Sequence, residues 1–225
     1  MSKSVESISE SFDISTKNPI LLVPYIAPII IQIIFNVLAH LFPIRYYYGP
    51  SLVAEVPNTG LIILGSFIAG IVGFIAACTL VDMTNDVING RPVNLSKSLS
   101  YVRGRISILI VLAIIAAIFS ITIILLPIAM FLVVVAIIEG KNVAESIKKT
   151  FSFVSRNLGE VVVFIIIVII VGIIFSYGFS LIPVVGLYIG NIIGWIINAI
   201  FTISAVHLYI SLEQLPPPPP PPPPP

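Results

Sequence analysis

Two uncharged stretches constrain this chain more than anything else in it. Between Arg105 and Glu139 lie 33 residues without a formal charge, and between Glu160 and Glu213 lie 52 more. A membrane-spanning helix needs about 20 consecutive apolar residues. The longer stretch holds two such helices, divided near Leu181-Ile182-Pro183-Val184-Val185-Gly186. Composition closes the other routes. Only 9% of the 225 residues are charged and 58% are hydrophobic, with a mean hydropathy of +1.14. A soluble domain carries roughly 25% charge, and disorder needs low hydrophobicity. The chain therefore reads as an all-α integral membrane protein with several spans.

The shorter uncharged stretch has two readings: one long tilted helix, or a tight hairpin turning near Leu126-Pro127. Cations collect on the cytoplasmic side of membrane proteins, and their placement separates the two. A hairpin gives six spans and puts ten of the eleven Lys and Arg residues on one side, with only Arg45 opposite. A single span divides them six to five, which is no bias. Six spans are therefore expected, at about 20–42, 61–82, 106–125, 127–139, 160–181 and 186–212, with both termini cytoplasmic. Residues 1–18 form a cytoplasmic N-terminal amphipathic segment, 19–215 the membrane domain, and 216–225 a tail of ten prolines. The polar N-terminus, with Glu6, Glu10 and Asp13, does not read as a cleaved signal peptide. Spans three and four come out short, and either borrow length from neighbouring segments or dip in without crossing fully.

Three segments before odd-numbered spans resemble one another. They are Ser11-Phe-Asp-Ile-Ser-Thr-Lys-Asn-Pro19, Ser98-Leu-Ser-Tyr-Val-Arg-Gly-Arg-Ile106 and Thr150-Phe-Ser-Phe-Val-Ser-Arg-Asn-Leu158. Each opens with a hydroxyl residue and a large apolar one, and each has a basic residue just before the apolar run. The linkers Gly90-Arg-Pro-Val93 and Gly140-Lys-Asn-Val143 also match. The expected unit is an amphipathic helix followed by a helical hairpin, repeated three times in one orientation. Amphipathic helices are expected at about 92–105 and 142–157. Val143, Ile147, Phe151, Val154 and Leu158 form one apolar stripe, Leu95, Leu99, Val102 and Ile106 a second, and Val5, Ile8 and Phe12 a weaker third. Pro92 suits a helix start, and Asn142 with Glu145 resembles a capping box. Such helices lie in the headgroup plane, where Arg91, Lys97, Arg103, Arg105, Lys141, Lys148, Lys149 and Arg156 can meet anionic lipid, or pack beneath the bundle as a skirt.

Inside the membrane, small and polar residues stand out. Gly65 and Gly73 on span two, with Ala69 and Ala77, recur every four residues. So do Gly186, Gly190 and Gly194 on span six. Small residues let helices approach closely in lipid, so packing of spans two and six is expected, or a face for a homo-oligomer. Gln32, Asn36 and His40 share one face of span one. They must be paired or face a wet cavity. Asn191, Asn198 and Tyr177 are candidate partners, and a polar route past His40 and Arg45-Tyr-Tyr-Tyr48 is the other reading.

No ionisable group falls mid-span, which argues against an ion-coupled carrier. Asp82, Glu139, Glu160 and Glu213 sit near cytoplasmic ends, where salt bridges to the basic segments are expected. Asp82 and Asp86 could hold a divalent cation, although a solvated helix end is the simpler expectation. One cysteine, Cys78, excludes intrachain disulfides and cysteine-cluster metal sites. No nucleophile–base spacing, phosphate loop or dinucleotide fingerprint is present. The expectation is therefore no catalysis, no cofactor, no metal and no nucleic-acid partner. The tail forms a polyproline II rod of about 31 Å, either a spacer or a ligand for a polyproline-binding protein.

Asn89-Gly-Arg-Pro-Val93 followed by Ser98-Leu-Ser-Tyr-Val102, and Ile138-Glu-Gly-Lys-Asn-Val143 followed by Phe151 to Arg156, carry a resemblance. The pattern resembles poorly characterised prokaryotic, often archaeal, six-helix membrane families. It is similar to the membrane domain fused to some glycerophosphodiester phosphodiesterases. The resemblance spans most of residues 10–213 and implies a multi-pass cell-membrane location. No hydrolase domain accompanies it, so phosphodiesterase activity is not implied. The expected role is a non-catalytic protein that organises lipids or protein partners at the cytoplasmic face. The other reading is a channel or permease for a small or neutral solute.

Overall fold

The computed structural model describes residues 2–47, 53–122, 124–181 and 185–214. The proline tail, Tyr48 and the 182–184 break lie outside the described residues. The chain begins with α1 (Lys3–Lys17). A 3-10 helix (Pro19–Tyr25) then runs into α2 (Ile26–Leu41). Strands β1 (Ile44–Tyr47) and β2 (Val53–Val56) pair antiparallel, with Arg45 opposite Glu55. Then come α3 (Thr59–Ile88), α4 (Leu95–Gly104), α5 (Ile106–Ser120), α6 (Leu126–Ile138), α7 (Val143–Arg156), α8 (Leu158–Ser180) and α9 (Val185–Glu213). The small hairpin was not foreseen in the sequence. Its first strand carries Arg45, Tyr46 and Tyr47, and the pair lies in the chain between α2 and α3.

Among the described residues four helical stretches are long and apolar enough to cross a membrane: Pro19–Leu41, Thr59–Ile88, Leu158–Phe179 and Ile189–Glu213. A fifth appears if α4 and α5, bent by 76°, count as one. The shorter uncharged stretch folds as a helical hairpin, as α5 packs along α6. Helix α5 ends at Ser120 and α6 already begins at Leu126, so the reversal comes ahead of the expected Leu126-Pro127. Pro127 instead sits in the first turn of α6, where its missing N–H costs nothing. With 15 and 13 residues, α5 and α6 extend only about 20–22 Å at 1.5 Å per residue. The hydrocarbon core is about 30 Å thick.

The packing has an inner and an outer set. Helices α3, α6 and α9 each touch the other two. Outside them, α2 lies along α3, α5 along α6, and α8 along α9. The three amphipathic helices take a further set of places: α4 on α3, α7 on α6, and α1 on α9. Local sequence explains the starts and stops. Asn58, Asn94 and Asn142 each cap a helix, their Oδ1 atoms accepting from the N–H three residues on, at 3.0–3.2 Å. Helix α4 therefore starts at the Asn94 cap and not at Pro92. Gly90 and Gly140 hold φ of +67° and +63°, so the two matching linkers leave their helices through the same left-handed turn.

Candidate functional site

The most polar part of the fold is the layer built by α1, α4 and α7 against the ends of the inner helices. Helix α1 runs antiparallel to the last turns of α9. Ser7 Oγ lies 3.1 Å from His207 Nδ1, and Ser204 donates to Ser11 Oγ at 2.7 Å. The 3-10 helix continues this track: Tyr25 donates to Asn198 Oδ1 at 3.1 Å. Ser4, Ser7, Ser11 and Ser15 form the buried face of α1. At its start, Glu160 on α8 accepts from Ser2 Oγ, Ser4 Oγ and the Ser4 N–H at 2.6–2.8 Å. A carboxylate here satisfies orphan N–H groups and meets the positive end of the helix dipole.

The apolar stripes of these helices turn toward the bundle only in part. Ser11, Ser98 and Thr150 are fully enclosed, while the residue after each is open: Phe12 at 52%, Leu99 at 47% and Phe151 at 42% exposure. Small side chains win the inward positions because helices that approach closely leave no room for large ones. Hydrogen bonding is secondary. Thr150 donates to its own helix at Ser146 O, but the buried Ser98 and Ser146 hydroxyls have no partner among the described residues. Phe153 and Val154 of α7 do turn inward. Phe153 packs between Phe131 of α6, at a tilt, and Tyr209 of α9, edge to face, with centroids at 5.1 and 4.8 Å.

Acids at the ends of the inner helices collect the cations. Asp86 is almost fully enclosed and pairs with Arg91 at 2.5 Å and Lys97 at 3.3 Å. It is thus neither a solvated helix end nor a cation site. Glu139 pairs with Lys141 at 2.6 Å and Lys149 at 3.7 Å, and accepts from Tyr209 Oη at 2.5 Å. Glu213 binds Lys149 at 2.5 Å and also Arg156. Burial alone would raise the Glu139 pKa, but the bonds from Lys141 and Tyr209 and the charges of Lys149 and Lys141 outweigh it and hold it below the usual value. Arg105 donates to Tyr101 Oη at 2.8 Å and to the Lys141 carbonyl, tying α4 to the α6–α7 linker. Tyr101 in turn donates to Ile137 O at 3.0 Å. Arg103 and Lys148 are exposed and form no ion pair among the described residues.

The polar residues inside the bundle fall into two separate groups. Gln32 and Asn36 are buried between α2 and α3, where Gln32 donates to Ser66 Oγ at 3.3 Å and to Asn36 Oδ1 at 3.4 Å. His40 Nδ1 sits 2.8 Å from the Asn36 carbonyl, at the exposed end of α2. Asn198 belongs elsewhere, with Tyr25 and Thr202. Asn191 is half-buried on α9. The glycines also divide. A Cβ at Gly73 would stand 2.4 Å from Trp195 on α9, so this residue seats α3 against α9. Gly65 instead meets Phe35 of α2 at 2.2 Å, and Gly190 meets Phe179 of α8 at 2.9 Å. Gly194 has open space, and Gly186 is buried.

The sequence reading missed Glu160 as a cap and the serines at 4, 7 and 15 as a packing face. Their spacing of three and four was visible, but hydroxyl residues on a charged segment read as solvent-facing. Among the described residues no group of three or more His, Cys, Asp or Glu side chains gathers as a metal site. Comparison of the chain with protein-family models, with curated proteins and with solved structures finds no match.

Proposed function

We propose that the protein is a non-catalytic, multi-pass membrane component that binds anionic lipid at its cytoplasmic face through the α1, α4 and α7 layer. The observation that carries this reading is the orientation of the three helices. Each buries a Ser or Thr and turns the following large apolar residue, Phe12, Leu99 or Phe151, outward. Exposed apolar side chains beside the uncommitted cations Arg103 and Lys148 suit the boundary between headgroups and acyl chains.

The topology we infer is six crossings in three amphipathic-helix-plus-hairpin units, with both termini cytoplasmic. The cation distribution of ten against one supports it. So does the order of contacts, in which each amphipathic helix leans on the second helix of the unit before it and α1 leans on that of the last. The hairpin of α5 and α6 returns the chain to the side it left, whether it crosses a thinned bilayer or turns back within it. Cysteines placed between α5 and α6 and labelled from either side of sealed vesicles decide the crossing. Labelling from the cytoplasmic side alone rejects six spans.

Lipid binding is tested by thermal unfolding in detergent with added phosphatidylglycerol or phosphatidylcholine. Phosphatidylglycerol should raise the midpoint more, and the difference should shrink in high salt and in the Arg103→Gln/Lys148→Gln double variant. Equal shifts from both lipids in the wild-type protein reject the reading.

A further inference from the structure

A cavity of about 240 Å³ opens where the inner helices meet. Ala77 of α3, Met130 of α6 and Val168 of α8 form its apolar walls, and α9 contributes Asn198, Phe201 and Thr202. None of the lining residues is charged. Engineered apolar cavities of about 150 Å³ already take up benzene, so this one has room for a larger hydrocarbon. On one side, Phe164 touches Phe131 and Phe201, and Phe131 touches Phe153. Helix α8, the least buried of the four long helices, borders the cavity through Val168, and entry along α8 from the lipid side fits the uncharged lining.

The polar groups are few and specific. Asn198 Oδ1 is taken by Tyr25, and Thr202 Oγ1 donates to the Asn198 carbonyl at 2.8 Å. The Asn198 side chain is nevertheless exposed within the bundle, at the cavity wall. Among the described residues its amide N–H groups have no partner, which leaves them to donate to an acceptor inside. A charged head group would be stranded here, because an ion in an apolar site without a counter-charge is strongly disfavoured. A hydrocarbon with one neutral acceptor satisfies both the walls and the amide.

We propose that this cavity binds a neutral lipophile: a hydrocarbon chain bearing one hydroxyl or carbonyl group that accepts from Asn198. The sequence supplies its own reporter. Trp195, the one tryptophan in the chain, lies one turn before Asn198 on α9, and its ring is 5.9 Å from that of Tyr25.

The test is quenching of Trp195 fluorescence by dibrominated octadecanol, titrated into the purified full-length protein in detergent. Saturable quenching is expected with the alcohol. The same chain as a fatty acid at pH 9, where it is ionised, should need at least tenfold more. Ala205→Phe, which fills the cavity from α9, should abolish saturation; Ala77→Met, on the opposite wall, is the second filling variant if the first fails to fold. Asn198→Leu should keep hydrocarbon binding but lose the preference for the alcohol over dibrominated octadecane. Quenching that never saturates, or that survives cavity filling in a folded variant, overturns the site. Equal affinity for the ionised acid overturns the neutral class, and an unchanged alcohol preference in Asn198→Leu overturns the role of the amide.

Discussion

Helices α6 and α8 are made of much the same residues. Leu-Pro-Ile-Ala-Met-Phe-Leu-Val-Val-Val-Ala-Ile-Ile forms the first, and the second is an equally apolar run of Val, Ile and Phe. Their surroundings are opposite. Pro127, Ile128, Ala129, Phe131, Leu132 and the run from Val134 to Ile137 are all buried. The most apolar stretch of α8 is only 17% buried. A helix that is apolar all round is at home either in a protein core or in lipid, and here one chain uses the same composition for both. The lesson is energetic. Lipid tails are as apolar as a leucine side chain, so no hydrophobic force separates the two fates. Shape does: α6 is enclosed by α3, α5, α7 and α9 because their side chains fit around it.

The sharpest way to break this comparison is to remove matched bulk from each helix. Phe131→Ala leaves a void of roughly 100 Å³ that its neighbours close only in part. At about 24 cal/mol per Å³ this costs about 2 kcal/mol. The transfer term largely drops out because the unfolded helix stays in lipid. Ile170→Ala on the exposed side of α8 should change stability by less than about 0.5 kcal/mol. Unfolding in mixed detergent and denaturant measures both, and equal losses would mean α8 is as enclosed as α6.

Glycine replacement gives a second contrast of opposite sign. Gly73→Ala places a Cβ 2.4 Å from Trp195, and should cost about 1–3 kcal/mol through forced repacking of α3 against α9. Gly172→Ala on α8 meets nothing within 4 Å and should stabilise by about 0.5–1 kcal/mol through helix propensity. The same unfolding assay reads the pair, and a destabilised Gly172→Ala would reveal a contact on the outer face of α8.

The smallest expected effect is electrostatic. The carboxyl of Glu139 is held below the ordinary glutamate range in the folded protein. A group depressed in this way stabilises above its unfolded pKa, and that contribution is lost as the pH falls through the folded value. The thermal midpoint should therefore fall on going from pH 5 to lower pH, and Glu139→Gln should flatten part of that slope. An identical slope in the variant would assign the acid sensitivity to Glu160 instead, whose carboxyl the Ser2 and Ser4 hydrogen bonds also hold low.

Much of the layout was legible because it depends on local chemistry. The apolar runs placed the long helices, and the Gly90 and Gly140 linkers marked two helix ends through a conformation that glycine adopts without strain. The cations before each hairpin pointed to partners among the acids. Asp86, rather than Asp82, is the residue that receives Arg91 and Lys97, and periodicity could not choose between two aspartates four apart. The face of α1 was illegible for a different reason. Val5, Ile8 and Phe12 form the apolar stripe that periodicity shows, yet it is Ser4, Ser7, Ser11 and Ser15 that are enclosed. Close approach to α9 selects for small residues, and the apolar ones lose nothing by facing lipid or its boundary.

The sequence by itself determined that this chain has several helices apolar enough for a bilayer and where their apolar runs lie, although α3 continues to Ile88, past the expected end at 82. Those properties follow from transfer energies and backbone preferences carried by each residue. Only the tertiary structure decided that α3, α6 and α9 form the inside, that serine rather than phenylalanine faces it, and that Asn198 looks into a cavity apart from Gln32 and Asn36. These outcomes depend on complementarity between distant surfaces. In an apolar medium that complementarity is what distinguishes a neighbouring helix from a neighbouring lipid.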